Sequence, residues 1–347
     1  MKHLSRPVRI NLALQGGGAH GAFTWGVLDR LLQEEAVEIA AISGTSAGAL
    51  NGAALKVGMA MGGRQGAREN LDWFWGQISK VDDLSLAHWM TAFWPDSMKK
   101  MWRAFTPAAA LEGMTNLFSP YDFGPFYANP LRPIVEGLHF GHICGPKGPQ
   151  LFVSATNVRS GKIRVFSGGT LTPDTLLASS CLPTVFQAIE IDDPATGRRE
   201  AYWDGGYSGN PALFPLYDPR LPKDIVIVNI NPLHREDLPK SAGEIINRIN
   251  EVSFNSSLLS ELRAINFVRR LIGEGKVATE AMKEVFVHMI ADDHLMNLLS
   301  VDTKLLPTPG LLENLRDAGR AAADKFLSEH GDKISRSGSV DLQATYS

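Results

Sequence analysis

The chain has 347 residues, 44% hydrophobic and 20% charged, which is typical of a globular protein with a sizeable core. Its 34 basic and 37 acidic residues give a net charge of −3. This argues against nucleic acid as a partner, because phosphate-binding surfaces usually carry a basic excess. Two cysteines, Cys144 and Cys181, are too few for a disulfide framework or a four-cysteine zinc site. The sequence also has no calcium-loop motif, and we expect neither a metal nor a cofactor.

The N-terminal part alternates between apolar runs and helical periodicity. Buried strands are predicted over "VRINLALQ" and "VEIAAISG", each followed by a helix, over "AFTWGVLDRLLQEE" and "SAGALNGAALKVGMAM". Two successive strand–helix units of this kind predict an α/β fold with a mainly parallel central sheet and helices on its faces.

Residues 62–149 are predicted to form a helical insertion that is rich in tryptophan. It carries five of the seven tryptophans, Trp73, Trp75, Trp89, Trp94 and Trp102. Beside Lys99, Lys100 and Arg103 they suit a lid or a surface at a lipid headgroup boundary. The alternative, which we favour, is that these aromatics pack a helical layer over the sheet.

Strand patterns return after the insertion and end in a helical C-terminal part. Strands are predicted over "QLFVSATN", "KIRVFSG", "QAIEID", "REAYWDGG", "DIVIVNINP" and "EVFVHMI". Amphipathic helices are predicted around residues 242–272 and 310–330. We expect one domain over 9–235, a helical extension over 236–330 packed on it, and a loose polar tail over 331–347.

No apolar run is long enough for a signal peptide or a membrane span. The sequence therefore predicts a soluble cytoplasmic protein and leaves a peripheral membrane contact open. It says nothing about the oligomeric state.

The first predicted strand leads into Gly16-Gly17-Gly18-Ala19-His20-Gly21, which formally satisfies the G-x-G-x-x-G pattern of dinucleotide-binding turns. A dinucleotide site also needs an acidic residue at the end of the second strand to hold the ribose. That strand ends in Ser43 and Gly44, and Glu38 stands at its beginning, at the wrong edge of the sheet. A nucleotide-dependent oxidoreductase is therefore the weaker alternative.

The second strand is followed instead by Gly44-Thr45-Ser46-Ala47-Gly48, a G-x-S-x-G sequence. At a sharp strand-to-helix turn such a serine projects its hydroxyl beyond the sheet, and the flanking Gly44 and Gly48 permit the tight turn. Adjacent parallel strands would bring the glycine turn beside Ser46, where its amides could bind an oxyanion. Each turn could also be purely structural, but their occurrence in successive units favours a catalytic pair.

A nucleophilic serine needs a base, and none of the nine histidines stands in a distinctive context. Asp204 precedes Gly205 and Gly206 at the end of a predicted strand. Its carboxylate could take the serine proton directly in a partly desolvated cleft, or it could merely form an Asx turn. Local sequence does not choose between these.

The glycine turn, the serine turn and Asp204-Gly205-Gly206, in this order and spacing, resemble the patatin-like phospholipase family, and in particular its bacterial branch. The resemblance covers residues from about 9 to about 235 and includes "ASSCLPTVFQAIEI". It implies a three-layer α/β fold and a serine lipid acyl hydrolase, with a lipid or other acyl ester as its substrate. The alternative within this fold is a catalytically silent protein that associates with membranes.

The resemblance also implies residue roles. Ser46 would be the nucleophile and Asp204 the proton acceptor, without a histidine. The oxyanion hole would use the amides of the glycine turn at Gly16, Gly17 and Gly18, chiefly those of Gly17 and Gly18, with that of Ala47 as a further candidate. The supporting glycines would be Gly21, Gly44, Gly48, Gly205 and Gly206. One departure is His20, where many family members carry Arg or Lys.

Overall fold

The computed structural model describes residues 4, 6–81, 119–278, 281–299 and 301–346. The predicted tryptophans Trp89, Trp94 and Trp102, and the basic residues beside them, lie outside these ranges. Within the ranges Trp75 is buried against Trp25 and Phe74, as the packing interpretation expects, whereas Trp73 is 36% exposed.

One eight-stranded sheet forms the centre of the fold. Its strands, in chain order, are β1 Val8–Leu14, β2 Val37–Thr45, β3 Gln150–Asn157, β4 Ile163–Ser167, β5 Ile189–Asp193, β6 Arg198–Asp204, β7 Asp224–Val228 and β8 Phe286–Ile290. The spatial order is β5-β6-β3-β2-β1-β7-β8, with β4 paired to β3. Strands β3, β2, β1, β7 and β8 run parallel to their neighbours in this order, and β4, β5 and β6 are antiparallel. The predicted mainly parallel α/β sheet is confirmed.

Helices cover both faces of this sheet. In the described residues the α-helices are α1 Gly21–Gln33, α2 Ala47–Ile78, α3 Arg132–Glu136, α4 Pro173–Ser179, α5 Ala242–Gly273, α6 Asp293–Leu298, α7 Pro309–His330 and α8 Leu342–Tyr346. Helix α2 is broken at Gly62 and Gly63, which have non-helical backbone angles. None of the described helices has the length and apolar content needed to cross a membrane.

Two hydrophobic clusters lie on opposite faces of the sheet, because successive side chains of a strand point to opposite sides. On β7, Val226 and Val228 belong to the cluster beneath α1, α2 and α7. Ile225 and Ile227 belong to the other cluster, with Leu258 from α5. The C-terminal helices therefore share a core with the N-terminal strands.

The expectation of a loose C-terminal tail is wrong for residues 331–346. The Ser339 hydroxyl contacts His288 Nδ1 of β8 at 3.1 Å, and the Ser339 amide donates to the Val287 carbonyl. Leu342 of α8 is 3% exposed. Composition suggested disorder because the segment is polar, but a few apolar side chains and backbone bonds to β8 suffice to hold it.

Candidate active site

Ser46 occupies the sharp turn between β2 and α2. Its backbone has φ 53° and ψ −126°, a strained conformation for a residue with a side chain. The Ser46 amide donates to Ser179 Oγ at 2.9 Å. The flanking glycines are sterically required, because a methyl group on Gly44 would lie 2.7 Å from the Gly48 carbonyl oxygen and one on Gly48 would overlap the Leu14 carbonyl.

The glycine turn lies against the serine turn, as the adjacent strands predict. A methyl group on Gly16 would lie 2.5 Å from Ser46 Cβ, and one on Gly21 would lie 2.6 Å from Ala47 Cβ. The Gly16 amide, however, donates to Asn210 Oδ1 at 2.7 Å. Gly16 is therefore not an oxyanion donor in this structure, contrary to the expectation from the sequence, and its role is to allow close contact between the two turns.

Three other amides remain available beside Ser46. Within the described ranges no hydrogen bond is made by the amides of Gly17, Gly18 and Ala47. Gly18 has φ +59°, a left-handed conformation that favours glycine. These amides precede or begin helices, where backbone N–H groups lack intrahelical partners and suit an anion.

Asp204 reaches the same place from β6. Its backbone pairs with Ala155 of β3, and Thr45 pairs with the preceding residue, Ser154, on the same edge of β3. The carboxyl is 1% exposed, and its Oδ1 accepts a hydrogen bond of 2.7 Å from the Gly206 amide. A methyl group on Gly205 would overlap the Ser154 carbonyl. The tight turn therefore lets Asp204 approach β3 and Ser46.

Burial dominates the electrostatics of Asp204. Desolvation raises its pKa to about 7, although hydrogen bonding from Gly206 and Ser46 acts in the opposite direction. Asp204 Oδ2 makes no hydrogen bond of standard geometry within the described residues. The Ser46 hydroxyl is thus near enough to act on the carboxyl without being in ideal bonding geometry. A carboxyl of this kind can accept a proton near neutral pH.

No histidine of the described residues takes part in this arrangement. His20 is 2% exposed, and its Nε2 contacts Thr303 Oγ1 at 2.7 Å. Burial, and after it the charge of Lys304, lowers the pKa of His20 to about 3, so it is neutral. His288 lies on the outer strand β8, where its Nε2 contacts Asp224 Oδ1 at 3.0 Å.

Sequence reasoning missed the amide side chains that hold the glycine turn. Gln15 Oε1 accepts hydrogen bonds from the backbone amides of Ile230 and Asn231. Asn231 Nδ2 donates to the Gly16 carbonyl at 2.7 Å, opposite the bond from the Gly16 amide to Asn210. A signal was present, because Asn210 and Asn231 each precede a proline near a predicted strand end, but asparagine-proline pairs are common in turns.

An apolar pocket opens beside Ser46 and the free amides. Its apolar wall consists of Leu50, Phe74, Trp75, Ile78, Leu131, Leu182, Phe186 and Leu305. Ser180 also lines it, and the Ser180 hydroxyl is buried without a hydrogen-bond partner among the described residues. The pocket joins an apolar surface to a few polar groups, which is the usual character of a small-molecule site.

The fold and this site place the chain among α/β proteins that carry a serine at a strand-to-helix turn beside free backbone amides. The family model of patatin-like phospholipase matches residues 12–217, more than half of the sequence. The chain belongs to this family, and its membership supports a lipid-hydrolase function. No match was found among curated protein sequences.

Several solved structures are similar in fold. VipD from Legionella pneumophila has 13% sequence identity and a TM-score of 0.41, covering 93% of this chain and 67% of VipD. The type III effector ExoU has 14% identity and a TM-score of 0.31, covering 93% of this chain and 53% of ExoU. A human cytosolic phospholipase A2 has 16% identity and a TM-score of 0.30, covering 72% of this chain and 43% of the phospholipase. The chain thus spans between 43% and 67% of the length of these proteins.

Proposed function

We propose that this protein is a serine-dependent lipid acyl hydrolase in which Ser46 is the nucleophile and Asp204 the general base. The observation that carries the proposal is the buried Asp204 carboxyl, whose pKa is raised to about 7 beside a serine on a strained turn. A carboxylate near neutral pKa can remove the serine proton without a histidine.

In the proposed acylation step, the Ser46 proton passes to Asp204 while Ser46 Oγ forms a bond to the ester carbonyl carbon. The negative charge on the carbonyl oxygen is held by the amides of Gly17, Gly18 and Ala47. Each preorganised donor of this kind contributes roughly 3–4 kcal/mol in the transition state. The carbon–oxygen bond to the alcohol then breaks, and Asp204 returns the proton to the departing oxygen.

Deacylation reverses these roles. Asp204 takes a proton from water, whose oxygen attacks the acyl carbon, and Ser46 Oγ leaves with the proton from Asp204. The fatty acid and the free serine are the products. The acyl chain would occupy the apolar pocket, and the buried hydroxyl of Ser180 would donate a hydrogen bond to an ester oxygen.

The oxidoreductase alternative finds no support in the geometry. Glu38 is the acidic residue of strand β2. It pairs with Arg9 at 2.8 Å on the exposed edge where β1 and β2 begin. The glycine turn lies at the other end of these strands, where a ribose would need its acidic partner.

Ser46→Ala tests the proposal, with Ser43→Ala as the matched control. Ser43 is a buried serine on the same strand, and its hydroxyl donates to the Ala212 carbonyl. The assays are fluorophosphonate labelling, hydrolysis of p-nitrophenyl butyrate, and fatty-acid release from phosphatidylcholine vesicles measured by mass spectrometry. We expect Ser46→Ala to lose all three and Ser43→Ala to retain them. A wild-type protein inert in all three assays would leave only the silent, membrane-associating alternative.

A further inference from the structure

The glycine turn is covered by a short segment that lies far from it in sequence. Residues 303–305, called the strap below, include the end of a 3-10 helix, Val301–Lys304, that packs on the 3-10 helix Gly18–His20 and on α5. The Lys304 carbonyl lies directly against Gly18, where even a methyl group would overlap it. Lys304 and Leu305 also form one wall of the pocket that contains Ser46.

Side chains fasten the strap at two points. Thr303 Oγ1 contacts His20 Nε2 at 2.7 Å. Lys304 Nζ donates to Asn247 Oδ1 and to Glu251 Oε1 of α5, both at 3.0 Å. The Lys304 side chain is partly buried, at 16% exposure. With two acceptors in place it is held in one orientation, and its backbone is held with it.

The acceptor of this lysine is unusually well fixed. Glu251 is fully buried and also accepts from Arg235, at 2.8 Å on each oxygen, and from Arg248 at 3.3 Å. Burial alone would raise the pKa of Glu251, but Arg235 and Lys304 outweigh it and lower this pKa to about 2. Glu251 is therefore charged at all working pH values and provides a permanent anchor for Lys304.

We infer that Lys304 is a positioning residue for the oxyanion turn, because its anchored backbone supports Gly18 and keeps the Gly17 and Gly18 amides directed at the carbonyl oxygen of the substrate. This inference rests on the proposed function, since it assigns how the same site is kept in its reactive geometry. Lys304 acts through the turn and takes no part in bond making. It should therefore affect kcat and leave substrate binding nearly unchanged.

Lys304→Met tests the inference because methionine keeps length and apolar volume but loses both hydrogen bonds. Misplaced donors cost about 10- to 100-fold, so we expect kcat for p-nitrophenyl butyrate to fall by about that factor, with KM changed by less than about 3-fold. The rate of fluorophosphonate labelling should fall in parallel. Lys304→Arg, which restores a cation that can reach Glu251, should recover most of kcat.

Lys56→Met is the matched control. Lys56 is a buried lysine, and its Nζ donates to the carbonyls of Gly145 and Pro149. It lies ten residues after Ser46 on α2, about 15 Å along the helix. We expect Lys56→Met to lower the melting temperature without lowering kcat per folded molecule. An equal fall of kcat in both variants would mean general destabilisation and would overturn the inference.

Two further outcomes are decisive. If Lys304→Met folds and has the kcat of the wild type, the positioning role of Lys304 is overturned. The proposed function still stands in that case, provided that Ser46→Ala is inactive. If Lys304→Met does not fold, the test is Thr303→Val, which removes the hydroxyl that contacts His20. We expect kcat of that variant to fall by about 3- to 10-fold, and an unchanged value would overturn the inference. A wild-type protein without hydrolase activity would overturn the proposed function and this inference with it.

Discussion

Two fully buried carboxyl groups in this protein, Asp204 and Glu251, behave in opposite ways. Asp204 has one amide donor and the Ser46 hydroxyl around it, so burial raises its pKa to about 7. Glu251 has three cations around it, which lower its pKa to about 2 in spite of burial. Burial alone therefore does not define a catalytic acid or base. The absence of a compensating cation around Asp204, among the residues that the structure describes, is what leaves its carboxyl able to exchange a proton near neutral pH.

The largest effect is expected for the substitution Asp204→Asn, which should lower the catalytic rate. The amide cannot accept the serine proton, so we expect kcat for p-nitrophenyl butyrate to fall by at least about 10³-fold. Asp224→Asn is the control, because Asp224 is equally buried but bonds His288 away from the site. Retained activity in Asp204→Asn would return the search for the base to other residues.

Glu251→Gln should instead damage stability. Removing one partner from a buried ionic cluster leaves uncompensated charges, here of Arg235, Arg248 and Lys304, and typically costs about 3–5 kcal/mol. Chemical denaturation should reveal this as a lower free energy of unfolding. A Glu251→Gln protein as stable as the wild type would contradict the structural role given to this cluster.

The pH dependence of hydrolysis should reflect the titration of Asp204 and not that of Glu251. Asp204 must be deprotonated to act, so kcat/KM should fall about tenfold per pH unit below about 7. Glu251 stays charged over this range because its pKa is about 2. A profile that is flat between pH 5 and 8 would be incompatible with Asp204 as the base.

The contribution of Asp204 to stability should decrease with rising pH, whereas its contribution to catalysis increases. Its pKa rises from 3.8 in the unfolded chain to about 7 in the folded one, so the folded state binds more protons between these values. The free energy of unfolding contributed by Asp204 therefore falls as pH rises through this window, by about 1 kcal/mol between pH 6 and 8. Asp204→Asn lacks this loss. The melting temperature of Asp204→Asn should therefore rise relative to that of the wild type between pH 6 and 8. A difference in melting temperature that stays constant over this interval would count against the raised pKa of Asp204.

The smallest expected effect concerns the hydroxyl of Ser180, which is buried and has no hydrogen-bond partner in the part of the chain that the structure describes. If its hydroxyl bonds the substrate, Ser180→Ala should raise KM for p-nitrophenyl butyrate about 3- to 10-fold, since such a bond contributes roughly 1 kcal/mol. The folded protein should lose no stability, because no hydrogen bond within the described residues is removed. An unchanged KM would exclude Ser180 from substrate binding.

Much of the site was predictable because its signals are local. The spacing of Gly44, Ser46 and Gly48 follows from the steric limits of one sharp turn, and the apolar run before it predicts the strand. Parallel neighbouring strands then bring the glycine turn beside Ser46. By contrast, the occupied amide of Gly16 could not be foreseen, because its partner Asn210 lies 194 residues away.

The sequence by itself determined the α/β class, the two turns and the candidate Ser46, because each depends on short-range backbone geometry and periodicity. It offered Asp204 as a candidate base only through the resemblance to a known family. Only the tertiary structure decided the state of the charges. Desolvation and long-range contacts made Asp204 a weak acid, His20 neutral and Glu251 a permanent anion. They also brought Lys304 over Gly18. A pKa depends on everything packed around a group, and that packing joins segments whose distance along the chain carries no local signal.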